Sequence, residues 1–210
     1  MIQFLLFIFI SYLFGSLSGS LLLGKLKNID IREMGSGNAG GTNALRSVGP
    51  LFALGTIIID ILKGYIPIIL LSPYINNINL DVAQIILGIA AVLGHVYPIF
   101  YNFKGGKGAG TLVGVVLAIF PYSVPFVFLT WVIILILTGY VGLSTMCAGI
   151  SLVLVTYFSY PPSILSEFGY FTIIVSIFLI YTHRENIKRM IIGNENQFKK
   201  VMLFKKLFKN

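Results

Sequence analysis

Gly94–Thr111, GHVYPIFYNFKGGKGAGT, separates two apolar runs, Ala83–Leu93 and Leu112–Phe120. Within the stretch lie one histidine, one asparagine, two lysines and five glycines. Glycine lets a backbone come close to a ligand, and N–H donors beside ammonium groups suit a phosphate. The plainer reading is a positively charged loop joining two membrane spans. A nucleotide P-loop is not met, because Tyr101 stands where that pattern needs glycine and Gly108 follows Lys107.

The flanking runs set the class. Hydrophobic residues make up 57% and charged residues 10% of the 210 residues, and the mean hydropathy is +0.92. A soluble domain carries roughly 25% charged residues. The apolar runs are too long for barrel strands, so an all-α, polytopic membrane protein is expected. The first run has no basic residue before it, and Lys25 and Lys27 follow it, which reads as an anchor with its N-terminus outside. The single cysteine, Cys147, gives no disulfide framework. Two distant histidines argue against zinc, and no metal, cofactor or nucleic acid is expected.

In chain order, seven transmembrane helices are expected: Ile2–Leu23, Leu51–Leu71, Val82–Tyr101, a span from Leu112 to the prolines Pro121 and Pro125, Phe126–Thr138, Leu143–Tyr160 and Gly169–Thr182. They would form one domain over 1–198, with a basic amphipathic tail over 199–210 that suits a lipid surface. Every Lys and Arg except Lys63 falls in 25–50, 102–111 or 183–210, whereas the opposite loops hold Asp81 and Glu167. The positive-inside rule then puts the N-terminus outside and the C-terminus in the cytoplasm.

Two further polar clusters fall on the same expected face. Gly35–Gly49 contains Ser36, Asn38, Asn43 and Arg46, with Thr42 or Asn43 placed to cap a short helix carrying Arg46. His183, Arg184, Asn186 and Arg189 leave the last span together; Glu185 and Arg189 are four apart and Gly193 would end the helix. Within the second span, Asp60 and Lys63 share a face, either as a functional pair or as one that fixes helix packing. Gly15, Ser16, Ser18, Gly19 and Ser20 read as close helix packing, with a lipid-chain groove as the alternative.

Taken together, GSGNAGGTNALR, the DILKG of Asp60–Gly64, GHVYPIFYNFKGGKGAGT and HRENIKRMIIGNE resemble the bacterial acyl-phosphate:glycerol-3-phosphate acyltransferase family. The resemblance runs from the first span to Glu195. It implies a seven-span enzyme of the bacterial cytoplasmic (inner) membrane, with its site on the cytoplasmic face. The implied reaction moves an acyl group from acyl phosphate to the 1-hydroxyl of glycerol 3-phosphate, giving lysophosphatidic acid for phospholipid synthesis. The implied partners are these two substrates and membrane lipids. Carried over by position, the first motif falls on Ser36, Gly37, Asn38, Asn43 and Arg46. The second falls on His95, Lys104, Gly105, Gly106, Lys107, Gly108 and Thr111, and the third on His183, Arg184, Asn186, Arg189, Gly193 and Glu195.

Of these, Ser36, Asn38, His183 and Asn186 are the expected catalytic groups. Arg46, Lys104, Lys107, Arg184 and the Gly105, Gly106 and Gly108 backbone are the expected phosphate-binding ones. Asn43, Lys63, His95, Thr111, Arg189 and Glu195 are further expected contributors. The sequence departs from the family at Gly139-Tyr140-Val141-Gly142, where relatives often read Arg-Tyr-x-Ser. A hydroxyl from that loop would then come from Ser144 or Thr145. His95 and His183 are both placed to take a proton, as is the donor's own phosphate, and no aspartate follows either histidine at the spacing of a His-x-x-x-x-Asp base. Two other classes are open at this level. An anion transporter should show internal repeats, of which there is none, and a non-catalytic assembly subunit would not need three converging clusters.

Overall fold

The computed structural model describes residues 1–159, 163–199 and 201–203, which form helices and short 3-10 turns with no strand among them. Most of the 199–210 tail lies outside the described residues. Two compact units are present, Met1–Pro121 and Tyr122–Asn210.

The first unit begins with a departure from expectation. The run read as one span is two helices, α1 (Ile2–Gly15) and α2 (Gly19–Leu26), bent by 51° at Ser16–Ser18. A break inside apolar surroundings frees main-chain groups that need partners. Lys63 Nζ donates to the Leu17 carbonyl at 3.2 Å, and Asp60 Oδ1 accepts from Gly19 N–H at 3.2 Å. Charges forty residues away in sequence therefore satisfy the break.

After the short α3 (Gly41–Ser47) come α4 (Pro50–Leu71), α5 (Leu80–Val96) and α6 (Ala109–Ile119). Asn79 caps α5, accepting from Asp81 N–H at 2.8 Å. The α1 and α5 backbones meet at Gly15 and Gly94, and Ser11 Oγ donates to the Leu87 carbonyl at 2.6 Å. The α4 and α6 backbones touch at Gly64 and Gly114, where any side chain would run into Thr111 or Ile61 main chain. This contact replaces side-chain interdigitation with direct backbone approach and sets where the N-terminus of α6 lies.

The second unit holds α7 (Val124–Thr138), α8 (Val141–Ser159), α9 (Glu167–Thr182) and α10 (Arg184–Ile191). α7 packs on α8 and α8 on α9, with Gly149 against Leu179 and Ser176. Ser166 caps α9, accepting from Gly169 N–H at 3.0 Å. α10 ends with Asn194 N–H on the Arg189 carbonyl (2.8 Å) and Gly193 N–H on that of Met190 (3.2 Å), the paired closure of a Schellman end.

Among the described residues four helices are long and apolar enough to cross a membrane, or five if the bent α1–α2 pair is one span. α6 has 11 residues and measures about 16 Å, roughly half the hydrocarbon thickness. The expected fourth span is thus a half-length helix, because its apolar run meets glycine loop on one side and Pro121 on the other. Exposed Leu5, Phe9, Leu54, Ile58, Phe128 and Ile177 give the helices the apolar exterior of a multi-pass membrane protein.

Candidate active site

In the first unit the structure brings the first two motifs together. Asn43 is the organiser of the first. Its Nδ2 donates to the carbonyls of Ile31, Met34 and Asn38 at 3.0, 2.9 and 3.1 Å. Its Oδ1 accepts from Ser36 N–H at 3.0 Å and Ser47 Oγ at 3.3 Å. This corrects the expected cap. The N-cap of α3 is Gly40 with no side-chain bond, because a fully buried amide with five hydrogen-bond partners is worth more here than one helix-end donor. Ser36 and Arg46 are exposed, and Asn38 is half-buried.

A second tie joins this loop to the next motif. Arg32 grips Asp30 through Nη2 at 2.6 Å and Nε at 3.0 Å, and donates through Nη1 to the Tyr101 carbonyl at 3.2 Å. Its hydrogen bonds hold the Asp30 carboxyl below the usual carboxylate range. Tyr101 packs with Ile31 and Ala39 in one small core.

The glycine turn differs from its expected use. Gly105 N–H donates to the Val96 carbonyl at 3.2 Å and Gly106 N–H to that of His95 at 3.1 Å. These amides close the end of α5 and are not offered to a ligand. Glycine is required at 106 because a Cβ would press into the His95 imidazole and come 3.0 Å from the Ala39 carbonyl. Gly106 is thus where the two motifs touch. Beyond the turn, Gly108 is the N-cap of α6, so the first-turn N–H groups and the positive end of that helix follow Lys107 directly. Lys104 is exposed, Lys107 half-buried and Thr111 fully buried.

His95 is buried, and its Nδ1 lies 3.5 Å from Asp60 Oδ1, at the outer limit of hydrogen bonding. The same oxygen is 3.0 Å from Lys63 Nζ. The pairing of Asp60 and Lys63 is as their spacing predicts. The histidine is the partner that spacing within one segment does not show, since His95 comes from a different helix.

In the second unit the third motif is self-organised. His183 Nδ1 lies 2.8 Å from the Leu179 carbonyl. A carbonyl only accepts, so Nδ1 carries the proton in the neutral ring and the lone pair is on Nε2. The Glu195 side chain, 4% exposed, accepts from Asn186 Nδ2 at 2.8 Å and Arg189 Nε at 2.6 Å. Glu185 and Arg189, four apart on the helix, take different partners. Glu185 bonds Lys188 at 2.9 Å on the surface, while the turn at Gly193 swings Glu195 back under Arg189. Arg184 is exposed, lies 4.5 Å over the Tyr181 ring and donates to its carbonyl at 3.1 Å.

The divergent loop has a role in this unit. Gly142 abuts the Asn186 amide, and a Cβ there would lie 3.0 Å from its Cγ. Ser144 Oγ and Thr145 Oγ1 donate to their own helix, to the Tyr140 carbonyl at 2.8 Å and that of Val141 at 2.9 Å. Thr145 also accepts from Trp131 Nε1 at 3.3 Å. These hydroxyl protons are therefore spent inside α8 rather than turned outward, as i−4 back-bonding commonly does. No group of three or more metal-ligating side chains exists among the described residues.

The family model described as glycerol-3-phosphate acyltransferase matches residues 5–193. The glycerol-3-phosphate acyltransferase of Aquifex aeolicus is 38% identical over 196 residues, covering 92% of this chain and 98% of the relative. That of Bacillus subtilis is 42% identical over 201 residues, covering 92% and 97%. Among solved structures, the glycerol 3-phosphate form of PlsY, an integral membrane glycerol 3-phosphate acyltransferase, superposes with a TM-score of 0.84 at 36% identity, covering 98% of this chain and 99% of that one. Its lysophosphatidic acid form gives 0.82 at 36% identity, covering 93% and 95%.

Proposed function

Since the chain belongs to the glycerol-3-phosphate acyltransferase family, and so acylates glycerol 3-phosphate to lysophosphatidic acid, we propose that its acyl donor is acyl phosphate. The match along almost the whole chain to the glycerol 3-phosphate form of PlsY supports the acceptor, and the donor rests on the resemblance of the three motifs, in order and at these spacings, to the acyl-phosphate-dependent family. An acyl phosphate is already activated, because its leaving group is a stable anion. The enzyme's task is then orientation, charge neutralisation and removal of one proton.

In the reaction, the 1-hydroxyl oxygen of glycerol 3-phosphate attacks the acyl carbonyl carbon. The new ester C–O bond forms, and the bond to the phosphate oxygen breaks with its electron pair leaving on inorganic phosphate. Lys104, Lys107 and Arg46 hold phosphate oxygens, joined by the N-terminus of α6 rather than by the Gly105 and Gly106 amides. Ser36 and Asn38 lie in the loop that Asn43 shapes and give hydrogen bonds to the substrates. His183 takes the hydroxyl proton at Nε2, the nitrogen its helix end leaves basic. Asn186, its amide held by Glu195, donates to the oxyanion. Arg184 adds a further cation for phosphate.

The same reading places the protein in the bacterial cytoplasmic membrane with seven segments, the N-terminus outside and the three motifs facing the cytoplasm. The one-sided distribution of Lys and Arg supports it. The deciding experiment is turnover by the purified protein, with glycerol 3-phosphate as acceptor and either acyl phosphate or acyl-CoA as donor. Phosphate release and lysophosphatidic acid formation are expected with acyl phosphate alone. Equal turnover with acyl-CoA refutes the donor assignment.

A further inference from the structure

Asp60 and Lys63 take no part in the chemistry derived above, yet both are buried charges within an apolar helix. Two such charges cost several kcal/mol each to desolvate, and they persist where their partners need them. Their partners are specific. Asp60 Oδ1 accepts from Lys63 Nζ at 3.0 Å and Gly19 N–H at 3.2 Å, and the buried His95 Nδ1 stands 3.5 Å from the same oxygen with no completed hydrogen bond. Lys63 Nζ also takes the Leu17 carbonyl at 3.2 Å. The carboxylate thus meets the positive N-terminus of α2 and the ammonium meets the carbonyl released on the other side of the break.

The chain of contacts continues from His95. Its ring is packed against Gly106, and its carbonyl accepts Gly106 N–H at 3.1 Å. Gly106 begins the Gly106-Lys107-Gly108 turn that opens α6. On the other side of Asp60, its Cβ lies 3.2 Å from where a side chain of Gly110 would stand, in the first turn of α6. One buried pair therefore touches the break in the first span, the histidine that backs the glycine turn, and the helix start that follows it.

We propose that Asp60 and Lys63 are positioning residues that, through His95, fix the Gly106–Gly108 turn and the N-terminus of α6 in the orientation that holds phosphate. The inference rests on the phosphate-binding role given to that turn. Loosening the turn weakens ground-state and transition-state binding together, so the loss appears in KM and leaves kcat largely intact.

The test measures kcat and KM for glycerol 3-phosphate and for acyl phosphate in four variants of the full chain: Asp60→Asn, His95→Gln, Lys107→Ala and the doubly neutral Asp60→Asn/Lys63→Gln. The double variant removes both charges together, so no unpaired charge stays buried if Asp60→Asn alone does not fold. His95→Gln leaves the ion pair untouched and reads the same path from its far end. In each variant that folds, by thermal midpoint and a monodisperse profile in detergent, KM for at least one substrate should rise about tenfold or more while kcat stays within about threefold. An unchanged KM in folded His95→Gln, or in either Asp60 variant, overturns the proposal if Lys107→Ala raises KM. If Lys107→Ala leaves KM unchanged as well, the phosphate role of the turn fails and this proposal falls with it. A fall in kcat alone overturns the proposal, since it marks loss of the chemical step.

Discussion

Replacing Glu195 by glutamine keeps its shape and removes one acceptor oxygen. In the native arrangement Oε1 accepts from Asn186 and Oε2 from Arg189, at 2.8 and 2.6 Å, in a site where the carboxylate is 4% exposed. A glutamine turns its NH2 toward one of these two donors whichever way it sits. One charge-assisted hydrogen bond is lost, worth about 1.5–3 kcal/mol, and a donor faces a donor. If the Asn186 amide stabilises the oxyanion, its loss of orientation should lower kcat between about tenfold and a hundredfold, the rate equivalent of that energy. Glu195→Asp keeps the charge with a shorter reach and should recover part of the rate. Glu185→Gln is the contrast. Its carboxylate lies on the surface with Lys188, and rate and KM should match the native protein. The assay is initial-rate phosphate release from acyl phosphate at saturating glycerol 3-phosphate, on protein shown to be folded. A folded Glu195→Gln enzyme with native kcat would refute the role given to Asn186, because the carboxylate that holds its amide at 2.8 Å would then not matter to the rate.

Gly114→Ala would push a methyl group into the Ile61 main chain, so α4 and α6 must part; thermal unfolding in detergent should show a loss of about 1–3 kcal/mol or more, and an unchanged midpoint would mean the backbones are not in contact. Arg46→Ala should lower kcat/KM by about 100-fold and Arg46→Lys should restore only part of it, since an ammonium cannot replace a planar fork; full activity in Arg46→Lys argues for a point-charge role. In a Cys147→Ser background, a cysteine at Asn77 should react with an impermeant reagent added to intact cells and one at Ser47 should not; the reverse pattern inverts the assigned orientation.

What could be read from the chain alone was what depends on local pattern. The long apolar runs became α4, α5 and α8, and the i, i+3 spacing of Asp60 and Lys63 became an ion pair. Gly193 ended the last helix as its type suggests. The departures share a cause, which is a partner distant in sequence. The Gly/Ser cluster near Ser16 did give close packing at Gly15, but the break beside it is held by Asp60 and Lys63. Thr42 and Asn43 had the chemistry of a cap; the loop carbonyls of Ile31, Met34 and Asn38 drew the Asn43 amide inward instead. Arg189 had a glutamate one turn away and chose Glu195, which the Gly193 turn delivers in a buried place where the ionic bond is stronger. His95 comes within 3.5 Å of Asp60 from another helix, a proximity no spacing rule contains.

The Leu179 carbonyl that binds His183 Nδ1 is part of the main chain, and every residue type carries the same atom. In a catalytic site where a carboxylate orients the imidazole, one substitution at that carboxylate is enough to let the ring change tautomer. Here no substitution at position 179 other than one that distorts the helix can do so. Whatever His183 contributes to turnover, its protonation pattern is inherited with the end of α9 itself, and random mutagenesis should find that pattern hard to break except through the histidine or the fold.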